Sequence, residues 1–181
     1  MLKRVLIANR GEIAMRIFRA CHDLGLQTIA IYSNEDTYSM FRTAADEAYL
    51  IGENKSPLGA YLDIPSIIDL ARRRNVDAIH PGYGFLSENA EFAAACRKNG
   101  IAFIGPDAEC MARLSDKTST KEAFAKTALR PIPGTGVLSS AEQAAKEAES
   151  IGDPVILKAR SGGGGRGDRG VHSRGELLQA Y

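Results

Sequence analysis

Val5-Leu6-Ile7-Ala8, then Asn9-Arg10-Gly11, then apolar residues at Ile13, Ala14, Ile17, Phe18, Cys21 and Leu24: this opening decides the fold. A short unbroken apolar run is the mark of a strand covered on both faces, and Lys3 to Ala8 reads as such a strand. The 3.6-residue recurrence that follows is one face of a helix, stopped by Gly25. The rhythm then repeats. Thr28 to Tyr32 and Ala48 to Ile51 read as strands, with a short helix over Arg42 to Asp46 between them. Asp63 and Pro65 announce a helix through Ile67, Ile68 and Ala71. Asp77 to His80 is the next strand, Ser87 caps a helix that reaches Lys98, and Ile101 to Ile104 follows Gly100. Strand and helix alternating in this way predict a parallel, doubly wound sheet.

The texture changes after Gly105-Pro106. Helices over Asp107 to Leu114 and Asp116 to Ala128 lead into a proline-rigid linker, Arg130 to Gly134. Ser140 and Gln143 have the spacing of a capping box for a helix ending at Gly152. A strand over Val155 to Ala159, a glycine-rich stretch from Gly162 to Gly167 and a helix opening at Glu176 complete the chain. The last element is cut short at Tyr181, so the sequence is expected to be an excerpt of a longer one.

Composition narrows the function. A net charge of +1 over 181 residues gives no bulk field for duplex DNA or an anionic membrane, so neither nucleic acid nor membrane is expected as a partner. The longest apolar run, Phe92 to Cys96, is far below the ~18 residues of a membrane span. Cys21, Cys96 and Cys110 are an odd number without CxxC spacing and read as small buried hydrophobes in a reducing, cytoplasmic protein.

The strongest chemical signal is Lys158-Ala159-Arg160-Ser161-Gly162-Gly163-Gly164-Gly165-Arg166-Gly167. Consecutive glycines let backbone N–H groups converge on one anion, and Lys158 at the end of a strand brings an ammonium to the same place. In a partly closed site such a contact at 4 Å is worth about 4 kcal/mol, against about 1 in water. Gly162, Gly164 and Gly167 spell GxGxxG, but a dinucleotide fingerprint opens a helix directly. Here Asp168 to His172 reads as a turn and short strand, so the glycines lie between two strands. The first strand, where a dinucleotide-binding oxidoreductase carries its fingerprint, offers only Asn9-Arg10-Gly11. A second signal is Lys117 after Asp116. A third is the run His80 to Asn89, at the C-terminal end of a parallel strand, where open α/β sheets bind ligands. His80 reads as a hydrogen-bonded structural residue rather than a base. No residues have metal-ligand spacing.

These pieces in this order resemble the N-terminal part of a biotin carboxylase domain. The matching residues are Ile7 to Ala14 (IANRGEIA), Arg16, Arg19 to Cys21, His80 to Asn89 (HPGYGFLSEN), Phe103 to Pro106, Asp116-Lys117, Ile132 to Gly134, and Lys158 with its glycines. Within that group Tyr32 to Asp36, Ala45 to Leu50 and Ala60 to Leu62 are most similar to the pyruvate carboxylase branch. Acetyl-CoA and propionyl-CoA carboxylases share most of the same text, which leaves the final acceptor open. Carbamoyl-phosphate and purine-carboxylase types of ATP-grasp ligase share the fold without the HPGYGFLSEN run.

The resemblance implies an α/β architecture: a Rossmann-like parallel sheet over residues 1–113, then the incomplete start of an ATP-grasp domain over 114–181. It implies an ATP-dependent ligase in which ATP and bicarbonate give carboxyphosphate, and the carbon dioxide released is captured by the ureido nitrogen of biotin on a carrier domain. By position, Lys117, Lys158 and Gly162, Gly163, Gly164 and Gly165 would hold ATP, the glycines as a flap that closes over nucleotide. Tyr83 would lie near the biotin or bicarbonate pocket. The helix of Arg16, Phe18 and Arg19 would contact a second copy in a homo-oligomer. No catalytic residue or Mg2+ ligand is expected in this span, and the chain alone is expected to be inactive. Ser115, Leu129-Arg130, Arg160, Asp168 and Gly170 depart from the family text. Asp168 puts a carboxylate near the triphosphate unless Arg166 or Arg169 pairs with it.

Overall fold

The computed structural model describes residues 2–115, 132–159 and 167–181. Its contacts divide the chain into two compact units, Met1–Ala112 and Arg113–Tyr181.

The first unit is built on five parallel strands: β1 (Arg4–Ile7), β2 (Gln27–Tyr32), β3 (Glu47–Leu50), β4 (Ala78–His80) and β5 (Ala102–Phe103). Their order across the sheet is β3-β2-β1-β4-β5. Helices α1 (Gly11–Asp23), α2 (Met40–Ala44), α3 (Pro57–Tyr61), α4 (Ile64–Arg73), α5 (Ala90–Lys98) and α6 (Ala108–Ser115) come between and after them. The apolar run of β1 is explained by its two faces. Val5 and Ile7 join Ile17, Phe18 and Cys21 of α1 and Phe41 of α2 in one core. Leu6 and Ala8 join Tyr61, Ile67, Ile68, Phe92 and Cys96 in the other. Because strand side chains alternate, a strand with helices on both sides must be apolar at every position. Val5 and Leu6, one on each side, are both fully buried.

Three expectations shift. The helix after HPGYGFLSEN begins at Ala90, capped by Asn89, whose Oδ1 accepts from the Phe92 N–H at 2.8 Å. Ser87 is instead the end of a turn, its own N–H donating to the Gly84 carbonyl at 2.9 Å. The short helix before β3 runs from Met40 to Ala44, and the short helix α3 has no counterpart in the periodicity. Cys21 and Cys96 are buried, but Cys110 is exposed. Helix α6 turns Met111 inward, and a residue one position away points about 100° round the axis.

The second unit pairs β6 (Val155–Leu157) with β7 (Arg169–Val171) in an antiparallel ribbon. Helices α7 (Ala141–Ile151) and α8 (Arg174–Ala180) accompany it. Ala144, Ala145, Ala148, Val171 and Leu177 form their small shared core. Ser140 caps α7 as expected, accepting from the Gln143 N–H at 3.1 Å. The Gln143 side chain reaches one residue further back than a capping box requires, to the N–H of Ser139 at 2.9 Å.

Candidate functional site

In the first unit the strand order reverses between β1 and β4, which puts the ligand crevice of an open α/β sheet at their C-terminal ends. Here the two segments that border the crevice are bonded to each other. Asn9, buried just past β1, donates from Nδ2 to the carbonyls of Pro81 at 2.6 Å and Tyr83 at 2.8 Å. Its Oδ1 accepts the Arg10 N–H at 2.9 Å, a donor that a phosphate-binding turn would leave free. Gly82 has φ +66, and a Cβ there would lie 2.7 Å from Asn9 Nδ2. Gly82 itself has no room for a side chain, and the Arg10 N–H is already engaged, so the turn after β1 lacks the free amide of a dinucleotide fingerprint.

The segment after β1 and the run after β4, separate in the sequence, are therefore one structure. Arg10 forks onto Asp36, with Nε 2.6 Å from Oδ2 and the second nitrogen on Oδ1. Asp36 is 2% exposed and also accepts from Tyr61 Oη at 2.6 Å and Ser39 Oγ at 2.8 Å. The Arg10 contact outweighs burial and holds the Asp36 carboxyl down at about 2. Burial, reinforced by Asp36, pushes the Tyr61 phenol up. The Tyr61 ring stacks on Phe85 at 5.2 Å and 11°, fixing a loop residue whose φ is +43. A bulky residue held in the left-handed region marks a loop whose conformation is imposed by its surroundings.

His80 Nδ1 accepts the Gly82 N–H at 3.0 Å, and burial lowers its basicity. It is a neutral structural residue. Tyr83, by contrast, projects outward, 57% exposed, and its hydroxyl donates to Glu12 Oε1 in the first turn of α1. Glu12 Oε2 lies 3.8 Å from Arg16. Glu12, Asp36 and Tyr61 are the members of this assembly that sequence reading missed. Asn9-Arg10-Gly11-Glu12, a polar run directly after a doubly buried strand, was the available signal.

Of the helix expected to meet a second copy, Arg16 and Arg19 lie on the surface. Phe18 does not. It is 1% exposed and packed in the core with Phe41 and Val5, because it falls on the sheet-facing stripe of α1.

In the second unit Lys158 directly follows β6 and is exposed. Among the described residues it has no ion-pair partner. Leu157 pairs with Arg169, so the glycine stretch joins two antiparallel strands rather than a strand and a helix. The helix that a dinucleotide fingerprint opens directly is absent at this point, where β7 follows instead. Gly167, with φ +83, returns the chain into β7. Lys117 and Gly162, Gly163, Gly164 and Gly165 lie outside the described residues. Among the described residues no three His, Cys, Asp or Glu side chains are grouped to hold a metal, and no helix is long and apolar enough to cross a membrane.

Residues 1–111 match the family model for the biotin carboxylase N-terminal domain. The chain belongs to the biotin carboxylase family. Residues 116–181 match the ATP-binding domain described for the carbamoyl-phosphate synthase L chain. The chain is 52% identical to pyruvate carboxylase of Bacillus subtilis over 181 residues, which is 99% of this chain and 16% of that protein. It is similar to the biotin carboxylase domain of the Hydrogenobacter thermophilus 2-oxoglutarate carboxylase, solved as a dimer with MgADP, ADP and bicarbonate. There the TM-score is 0.92 at 47% identity, covering 99% of this chain and 39% of that one. It is equally similar, with a TM-score of 0.92 at 46% identity, to a biotin carboxylase from Campylobacter jejuni in a β,γ-ATP complex, covering 99% and 40%. The chain thus corresponds to the N-terminal portion of a biotin carboxylase, in an ATP-dependent ligase family.

Proposed function

We propose that these residues serve the biotin carboxylase half-reaction of a pyruvate carboxylase-like enzyme. ATP phosphorylates bicarbonate, and the carbon dioxide released replaces a proton on a biotin nitrogen. The observation that carries this reading is likeness along the whole chain, both to pyruvate carboxylase and to a carboxylase domain binding MgADP and bicarbonate. Residues 1–113 are the Rossmann-like domain and 114–181 the start of the ATP-grasp domain. Phosphoryl transfer needs charge neutralisation and exclusion of water more than a nucleophilic side chain. Lys158, exposed at a strand end and without a partner among the described residues, suits the first task, with Lys117 and the amides of Gly162 to Gly165 beside it by motif position. Tyr83 belongs to the biotin or bicarbonate pocket. Mg2+ ligands and the biotin carrier are supplied from outside these residues, and Arg16 and Arg19 face a second copy. Because the chain spans 16% of the B. subtilis pyruvate carboxylase and about 40% of the solved carboxylase chains, alone it binds without turning over.

Lys158→Met in the full-length carboxylase tests this. The KM for MgATP should rise about 10-fold or more, the loss of one charge-assisted contact, with the KM for biotin unchanged. An unchanged MgATP KM overturns the role of Lys158. Bicarbonate-dependent ATP cleavage by the 181-residue chain would overturn its silence.

A further inference from the structure

Tyr83 is the one exposed aromatic side chain of a loop whose backbone is otherwise fixed. Its carbonyl is held by Asn9, glycines with φ +66 and +65 flank it, and Phe85 is locked against Tyr61. What stays free is the direction of the hydroxyl proton, and Glu12 decides that. A carboxylate can only accept, so a phenol hydrogen-bonded to it must aim its single proton there. Arg16 lies 3.8 Å from the other oxygen, on the side away from the phenol. The outward side of Tyr83 Oη then carries lone pairs alone.

We propose that Glu12 is a positioning residue that makes Tyr83 an obligate hydrogen-bond acceptor, matched to a ligand N–H or O–H and mismatched to carboxylate, phosphate or carbonyl oxygen. The inference rests on the reading that places Tyr83 in the biotin or bicarbonate pocket. The donors available there are the ureido N–H of biotin and the O–H of bicarbonate, and the ureido N–H is the expected one. Glu12 is 61% exposed on its side chain, so in water the pair adds little to stability. It strengthens when a bound ligand excludes solvent. Its effect therefore falls on ligand recognition rather than on folding.

The test is a double-mutant cycle in the full-length carboxylase, with Y83F, E12Q and the pair. Glutamine keeps a partner for the phenol, but its amide N–H can donate to Oη and release the phenol proton outward. Y83F and E12Q should each raise the KM for free biotin about 3- to 10-fold, the worth of one neutral hydrogen bond. The KM for MgATP and the melting temperature should not move. In the Y83F background E12Q should add nothing, because Glu12 acts only through the phenol. A rise in the bicarbonate KM instead, in both single variants, supports the same chemistry with O–H as the donor. If Y83F raises a KM and E12Q does not, or if E12Q acts fully without Tyr83, the positioning role is overturned while the pocket assignment stands. If Y83F leaves both KM values unchanged, the pocket assignment itself falls.

Discussion

The two units of this chain are stabilised by opposite means. In the first unit the His80–Asn89 loop is pinned by a buried asparagine, a stacked aromatic pair and a carboxylate. Behind it lie two cores rich in Phe, Ile and Leu. In the second, a two-stranded ribbon rests on a core whose helix contributes Ala144, Ala145 and Ala148. An isolated ribbon is marginal in water, and alanine buries little area. The first design fixes individual side chains in place, and the second leaves its ribbon with little apolar support.

Five changes break or sharpen that contrast. Phe92, fully buried and edge-on to Phe103 at 5.8 Å, is the strongest lever. Phe92→Ala should cost about 3–5 kcal/mol in denaturant unfolding of the first unit. Gly82→Ala should cost about 2–4 kcal/mol, because it adds a clash with Asn9 to the left-handed backbone penalty. Gly84→Ala meets open space and should cost only about 1–2 kcal/mol. Equal losses at the two glycines would mean that Asn9 yields readily and does not pin the loop.

Acid unfolding tests the same region. The Asp36 carboxyl, ordinarily near 3.8, sits at about 2 in the folded chain, chiefly through its bond to Arg10. A lowered folded value means the stabilisation is complete above pH 3.8 and is lost as pH falls through about 2. The linked energy is about 2 kcal/mol. Asp46, Asp63 and Asp77 are also lowered, by hydrogen bonds from Thr28, Lys55 and the Arg4 N–H respectively, so acid sensitivity is shared. Asp36→Asn should flatten the pH–stability curve below pH 4 without abolishing its slope, as read by unfolding titrations from pH 2 to 6. The smallest effect belongs to the second unit. Ser140→Ala removes the cap of α7 and should lower local hydrogen-exchange protection there by about 1 kcal/mol, leaving β1 and β4 unaffected.

Much of the fold was legible because burial on two faces leaves a strong mark. Val5 to Ala8 read as a central strand since every position meets a helix, and the stripe on α1 gave the core side of that helix. Phe18 lies on the same stripe, yet it was also expected to meet a second copy; the structure keeps it in the core. The cap at Asn89 was misplaced onto Ser87 because both residue types can cap, and only the turn that engages the Ser87 N–H separates them. Cys110 was assigned inward because an apolar neighbourhood does not say which way a short helix is rotated.

The sequence by itself determined a parallel sheet, a glycine stretch between two strands rather than before a helix, and a series of motifs bearing a family resemblance. Those follow from periodicity and local backbone preference, which act over a few residues. Only the tertiary structure decided that Asn9 and Glu12 belong to the loop of Tyr83, and that Asp36 and Tyr61 hold the far side of the same assembly. The strand order brings β1 beside β4 across more than seventy residues. Hydrogen bonds between such partners depend on distance in space, and local spacing along the chain carries no record of it.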